Sequence, residues 1–260
     1  MDTAPSLPPA SPAPLERPFS AGEVIGRSFS VWLRNFVPFS VVTLAINVPL
    51  FVLAAIAPLD AGPAWSLLLN LVSGLAELVV AGALTYGVLE GLRGSRVPLG
   101  TLLRTGFAKL WRVFVVSFGV GIRVFLGTLL LVIPGIVLFC RLYVAIPAAV
   151  VEPIDATDAI GRSRTLTEGS RWGIFLVVLV AFLVTLVAAI LVGLLVGGIA
   201  GVLLALGDPA LGPRVFAVLG TVIRTLVWTP LPACASAVAY HDLRVAKEGV
   251  DTSALVKVFE

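Results

Sequence analysis

Ile160-Gly161-Arg162-Ser163 opens a stretch that passes Arg164, Arg171 and Trp172 and then runs into GIFLVVLVAFLVTLVAAILVGLL at residues 173–195. An unbroken apolar run of this length is that of a helix crossing a bilayer, which needs about 20 residues. The same tetrapeptide stands at Ile25-Gly26-Arg27-Ser28, and leads through Trp32, Arg34 and Asn35 into FVPFSVVTLAINVPLFVLAAIA at residues 36–57. Between the two, Arg104, Lys109, Trp111 and Arg112 lead into VFVVSFGVGIRVFLGTLLLVI at residues 113–133. The chain therefore reads as repeated units, each an amphipathic interfacial helix followed by a membrane hairpin. At residue level the repeat is weak, because any cationic entry to a membrane helix favours Arg and Trp.

Composition agrees. With 58% hydrophobic and 13% charged residues, the 260-residue chain has too little polar surface for a water-soluble domain. At about 20 residues per span it holds about six spans, and no soluble catalytic domain fits beside them. The expected fold is all-α, a polytopic membrane helical bundle. Its spans fall at 36–57, 64–89, 111–133, 136–151, 172–196 and 213–240, with Pro134-Gly135 as a hairpin turn and Gly197-Gly198 breaking off an outer or re-entrant piece at 199–206. Amphipathic helices are expected at 21–33, 99–110 and 156–166. Residues 1–18, rich in Pro, Ala and Ser, read as a disordered cytoplasmic tail without the pattern of a signal peptide. The integral membrane domain is 19–248, with units at about 19–92, 97–151 and 154–245, and 249–260 is a C-terminal cytoplasmic tail.

Lys and Arg set the direction. Arg17, Arg27 and Arg34 precede the first span; Arg93, Arg96, Arg104, Lys109 and Arg112 separate the second from the third. Arg162, Arg164 and Arg171 separate the fourth from the fifth, Arg244, Lys247 and Lys257 follow the sixth, and the opposite loops hold only Arg214. The positive-inside rule puts both termini in the cytoplasm. Arg27, Arg34, Arg104, Arg112, Arg162, Arg164 and Arg171 then form an interfacial set facing anionic headgroups, and nothing points to nucleic acid.

Away from the span ends, four charged residues fall within spans: Glu77, Arg123, Arg141 and Arg224. Glu77, Arg123 and Arg224 each lie roughly 15–20 Å from a helix end, near the midplane, where an unpaired charge costs from about 2.5 to more than 10 kcal/mol. They are expected to converge on one another or on a wet cavity, with Arg141 snorkelling outward. One carboxylate among several guanidinium groups leaves surplus positive charge, a candidate anion site for a lipid phosphate or phosphodiester. The plainer alternative is interhelical connection, with each Arg satisfied by backbone carbonyls. Gly82 with Gly87, Gly119 with Gly121, and Gly193 with Gly197 supply small faces for packing. At the border of the fourth span, Asp155 is expected to cap the next helix and Asp158 to pair with Arg162 at i,i+4.

No catalytic, cofactor or metal site is expected. Cys140 and Cys234 read as small apolar fillers, His241 is the one histidine, and the spans contain no carboxylate pair, Ser–His dyad or HExxH.

The stretch 134–172, with Pro134-Gly135, Arg141, AIPAAVVE (145–152), AIGRS (159–163), LTEG (166–169) and Trp172, resembles the membrane domain associated with bacterial glycerophosphoryl diester phosphodiesterases and its stand-alone relatives. YHDLRVAKEGVD (240–251) resembles the closing segment of that family, and RPFSAGEVIGRSFSVWLRNFVPF (17–39) is in character. The catalytic half of those enzymes is a soluble (β/α)8 barrel with carboxylate-held metal and paired histidines, which this chain is expected to lack. The resemblance thus implies a multi-pass protein of the bacterial cytoplasmic membrane and a phospholipid or glycerophosphodiester environment, not hydrolysis. The expected function is non-enzymatic: binding, moving or presenting an anionic phospholipid or glycerophosphodiester, or scaffolding a membrane partner. The alternative is a secondary transporter or channel subunit for a small anionic or amphipathic substrate. Protein partner and oligomeric state stay open.

Overall fold

A computed structural model describes residues 19–58, 62–95, 97–206 and 229–249, with positions 212, 219, 220, 222 and 226 between the last two segments. Among these residues the fold is all helical. In chain order the helices are α1 (Ala21–Arg34), α2 (Phe36–Ala55), α3 (Pro63–Leu92), α4 (Leu99–Leu130), α5 (Val132–Leu142), α6 (Ala145–Val151), α7 (Ala156–Thr167), α8 (Arg171–Ala205) and α9 (Pro230–Glu248). Five segments are long and apolar enough to cross a bilayer: α2, α3, α4, α5 with α6, and α8 through Val202. The chain is a multi-pass helical membrane protein.

α1 starts at Ser20, whose hydroxyl accepts the Glu23 N–H at 3.4 Å, and stops at Asn35. α7 stops at Glu168, with Gly169 at φ +81° before α8. Both expected amphipathic helices at 21–33 and 156–166 are therefore separate elements. The one expected at 99–110 is not: it is the first third of α4, continuous with the span. Nothing between Lys109 and Trp111 breaks a helix, whereas Asn35 and Gly169 do so in the other two units.

The α4–α5 hairpin turns at Leu131, which is extended (φ −165°, ψ 147°), rather than at Pro134-Gly135. Pro134 sits in the first turn of α5, where its missing N–H costs nothing, and Gly135 lets the two helices touch. A Cβ there would lie 2.9 Å from Thr128 Cα. The fourth span is two helices, parted at Tyr143-Val144. Pro147 accounts for the break, since it has no N–H for the Tyr143 carbonyl four residues back. The displaced Arg141 carbonyl accepts instead from Ser163 Oγ at 3.0 Å and Thr167 Oγ1 at 3.1 Å on α7.

α8 corrects another expectation. Gly197-Gly198 does not interrupt it, and the 35-residue helix is about 52 Å long. A Gly costs a helix only about 1 kcal/mol, less than leaving backbone groups unsatisfied in hydrocarbon. The sixth span, expected at 213–240, begins in residues that are largely outside the described set; α9 covers its end and continues to Glu248. The tails 1–18 and 250–260 also lie outside it.

The core is made of small side chains. Val80, Ala83 and Val88 on α3, Ala145, Ala148 and Ala149 on α6, and Ala237, Val238 and Ala239 on α9 are fully buried. Close approach of α3 and α4 depends on Gly106, where a Cβ would sit 2.7 Å from the Val79 carbonyl oxygen. Of the expected small faces, Gly82 packs on Gly106 and Gly87 on Leu102, and Gly119 lies against Ile160; a Cβ at Gly121 or Gly193 would meet nothing within 4 Å.

Candidate functional site

Two polar constellations stand out, one at the cationic end of the bundle and one at mid-depth. The first is a closed ring. Glu152, the C-cap of α6, accepts from Arg162 Nε at 3.0 and 3.1 Å and from the Tyr240 hydroxyl at 2.6 Å. Arg162 also pairs with Glu248, Glu248 accepts from Arg244 Nε at 3.1 Å, and Arg244 reaches back to the Tyr240 hydroxyl at 3.4 Å. The Arg244 guanidinium lies over the Tyr240 ring, 5.8 Å from its centroid. Tyr240, Arg244 and Glu248 are spaced by four, so α9 presents all three on one face.

Around the ring, further contacts hold the same elements. Arg112 caps α6 by donating to the Ala149 and Glu152 carbonyls at 3.4 and 3.3 Å, and Lys247 donates to the Thr165 carbonyl at 2.6 Å. Arg27 pairs with Asp242 at 2.5 Å, with His241 Nδ1 3.1 Å from the same carboxylate. The arginines of both IGRS tetrapeptides thus grip acidic residues of α9. Burial alone would raise the Glu248 carboxyl, but the hydrogen bonds from Arg162 and Arg244 outweigh it and hold it below its ordinary value. Burial disfavours the charged Arg162, yet Glu152 and Glu248 more than compensate and raise its pKa. A ring with two carboxylates, two guanidinium groups and one phenol is charge-balanced and internally satisfied, and so acts as a clamp joining α6, α7 and α9.

Local spacing predicts different partners here. Arg162 does not pair with Asp158, because Glu152 and Glu248 take its nitrogens, and Asp155 stands at the N-cap of α7 without a side-chain hydrogen bond. Tyr240, Asp242 and Glu248 were legible only as a polar stretch; the four-residue spacing of Tyr240, Arg244 and Glu248 was the available signal.

The second constellation is a cavity of about 640 Å³ bounded by α3, α4, the α5–α6 break and the start of α9. Its polar atoms come from Glu77, Thr85, Ser117, Tyr143, Thr229 and Ser236, and the rest of the wall is apolar. Glu77 is 14 residues from the start of α3 and 15 from its end, so the cavity lies at mid-depth. It shares Gly74, Leu78, Ser117, Gly121 and Phe125 with an adjoining groove of about 550 Å³ along α3 and α4. Ser117 Oγ is buried without a hydrogen-bond partner among the described residues.

Of the residues expected to converge at mid-depth, Glu77 lines this cavity. Arg123 does not line it: its Nη1 donates to the Gly119 carbonyl of its own helix at 2.7 Å. Arg141 keeps Nε buried without a partner among the described residues, and Arg224 lies outside them. Among the interfacial set, Arg27, Arg112 and Arg162 are engaged as above, Arg34, Arg104 and Arg164 are exposed, and Arg171 Nε is buried without a partner among the described residues.

Compared with known proteins, the chain matches no family model, no curated protein and no solved structure.

Proposed function

We propose that this chain is a non-enzymatic protein of the bacterial cytoplasmic membrane, a stand-alone member of the glycerophosphodiesterase-associated membrane-domain family, that binds an anionic phospholipid or glycerophosphodiester and presents or moves it. Both termini face the cytoplasm in this reading, because the paired and unpaired cations of α1, α7 and α9 collect at one end. Glu152, Arg162, Tyr240, Arg244 and Glu248 of the ring fall within the stretches that resemble that family.

The observation that carries the proposal is the cavity with its adjoining groove. An apolar trough running into a pocket lined by hydroxyls and one carboxylate suits an amphipathic occupant, with an acyl chain along Leu71, Phe118 and Ile122 and its glycerol-ester portion among Ser117, Thr229 and Ser236. Gly74 and Gly121 line both spaces, and a Cβ at either would meet nothing within 4 Å. Gly121→Leu therefore adds a side chain at the cavity wall, where its first carbon meets no packed atom. Native mass spectrometry of the protein released from lipid nanodiscs should show one retained phospholipid in the wild type and its loss in Gly121→Leu. Equal retention in both would sink the proposal.

A specific observation supports a transporter as second reading. The broken α5–α6 pair and the start of α9 both meet the cavity that contains Glu77, and interrupted helices around a mid-membrane carboxylate are how secondary transporters build sites. Proton-coupled uptake into proteoliposomes that Glu77→Gln abolishes would favour it; uptake at the protein-free rate would remove it.

A further inference from the structure

At the cationic end of the bundle, a second cavity of about 610 Å³ opens between the α1–α2 junction, the end of α3 and the start of α4. Its lining is mixed: exposed Arg34 with Asn35 and Ser95 supplies the polar part, while Phe39 and Leu102, both buried, form an apolar floor. Arg34 makes no hydrogen bond or ion pair with any described residue, although the neighbouring Arg93 is held by Glu90 at 2.8 Å. Asn35 spends its Nδ2 on the Val31 carbonyl at 2.9 Å, which fixes the turn that carries Arg34. The α3 end is fixed as well: Gly94 at φ +82° lets Ser95 N–H donate to the Glu90 carbonyl at 3.0 Å.

The space exists because α3 has no side chains on this side. Gly87 must be small, since a Cβ would lie 2.9 Å from Leu102 Cδ2. Gly91, one turn on, is different: a Cβ there would meet nothing within 4 Å and would enter the cavity. Packing therefore does not require the glycine at 91, and the gap it leaves lies beside an unneutralised guanidinium. A helix C-terminus favours Arg34 only weakly, and that interaction leaves all its donors available. A phosphate monoanion or diester matches a guanidinium as a two-point acceptor, and the Phe39–Leu102 floor suits the first methylenes of an acyl chain.

We infer that this junction is a phospholipid headgroup site, in which Arg34 holds the phosphate of an anionic lipid and the gap at Gly91 admits its glycerol and proximal chain. The site is separate from the mid-depth cavity and does not depend on what occupies it.

The test uses the full chain in nanodiscs that contain phosphatidylglycerol or phosphatidylcholine with the same acyl chains, read by native mass spectrometry, with soluble glycerol 3-phosphate as a third probe. Gly121→Leu serves as background, so that lipid lost from the mid-depth cavity is not counted. In that background phosphatidylglycerol should be retained in preference to phosphatidylcholine, Arg34→Gln should weaken its retention about tenfold, and Gly91→Leu should abolish retention of both lipids. Arg34→Lys, which keeps the charge and loses the fork, should fall between. An unchanged melting temperature identifies folded variants; if Gly91→Leu does not fold, Arg34→Gln and Arg34→Lys decide alone. Wild-type retention of phosphatidylglycerol by Arg34→Gln overturns the inference. So does Arg34-dependent binding of glycerol 3-phosphate without any lipid preference, which assigns the site to a free phosphate ester.

Discussion

Glu152 shows how much one carboxylate can organise where water is scarce. It accepts from Arg162 and Tyr240, its carbonyl accepts from Arg112, and only 14% of its side chain is exposed. Removing one member of such a set costs more than the bond itself, because a partly buried partner is left unpaired. Glu152→Gln should lower the stability of the detergent-solubilised protein by about 2 kcal/mol, and Tyr240→Phe by about 1 kcal/mol, both read from thermal unfolding. Because the two residues touch, the double variant should cost less than the sum of the singles; strict additivity would show that the ring is not coupled. Sequence spacing did not reveal this ring. The i,i+4 rule offers Asp158 to Arg162, and the true partner Glu248 arrives from a helix 86 residues further along the chain. Charge counting at mid-depth met the same limit: it singled out Glu77, Arg123 and Arg224 together, whereas Arg123 donates to a carbonyl of its own helix.

Element boundaries were legible wherever a breaker residue had a clear mechanism. Asn35 and Gly169 separate the amphipathic helices from their spans, and the absence of such a residue before Trp111 explains why α4 runs through. Pro147 held the signal for the break at Tyr143-Val144, four residues ahead of itself. Gly197-Gly198 misled, because a glycine pair without a competing hydrogen-bond partner does not stop a helix in an apolar setting. Glycines therefore sort by their neighbours. Gly106→Ala and Gly135→Ala should each destabilise by about 2 kcal/mol or more, while Gly193→Ala, which meets open space, should be neutral or slightly stabilising. Measured melting temperatures that fail to separate these classes would contradict the α3–α4 and α4–α5 contacts. α9 adds a pH dependence. The Glu248 carboxyl is depressed from its ordinary 4.5, so its contribution is present above that value and is lost as pH falls through the lower folded value. Protease sensitivity of the C-terminal segment should rise below about pH 4 and be pH-independent over the same range in Glu248→Gln.

For the whole molecule, apolar run lengths made the membrane class and most of the spans readable, since backbone satisfaction in hydrocarbon leaves few alternatives to the helix. Azimuth was not readable, and it decides which polar groups meet. Topology is tested by single cysteines in a variant with Cys140 and Cys234 replaced. Gly62→Cys, at the start of α3, should react with an impermeant maleimide in intact cells, and Glu23→Cys only after permeabilisation; the reverse order would invert the orientation.

The spans do not agree on a bilayer. From Trp111 to Leu130 α4 offers an apolar band of about 29 Å, whereas α8 stays apolar from Trp172 for most of its length of about 52 Å. One flat membrane cannot match both, so α8 must lean steeply or draw the lipids beside it into a thicker annulus while those beside α4 remain thin. Either way, the acyl length of the surrounding lipids becomes a variable of its own fold. Its melting temperature in nanodiscs should change with chain length from 14 to about 22 carbons, and shortening α8 by a turn should move the optimum toward shorter chains.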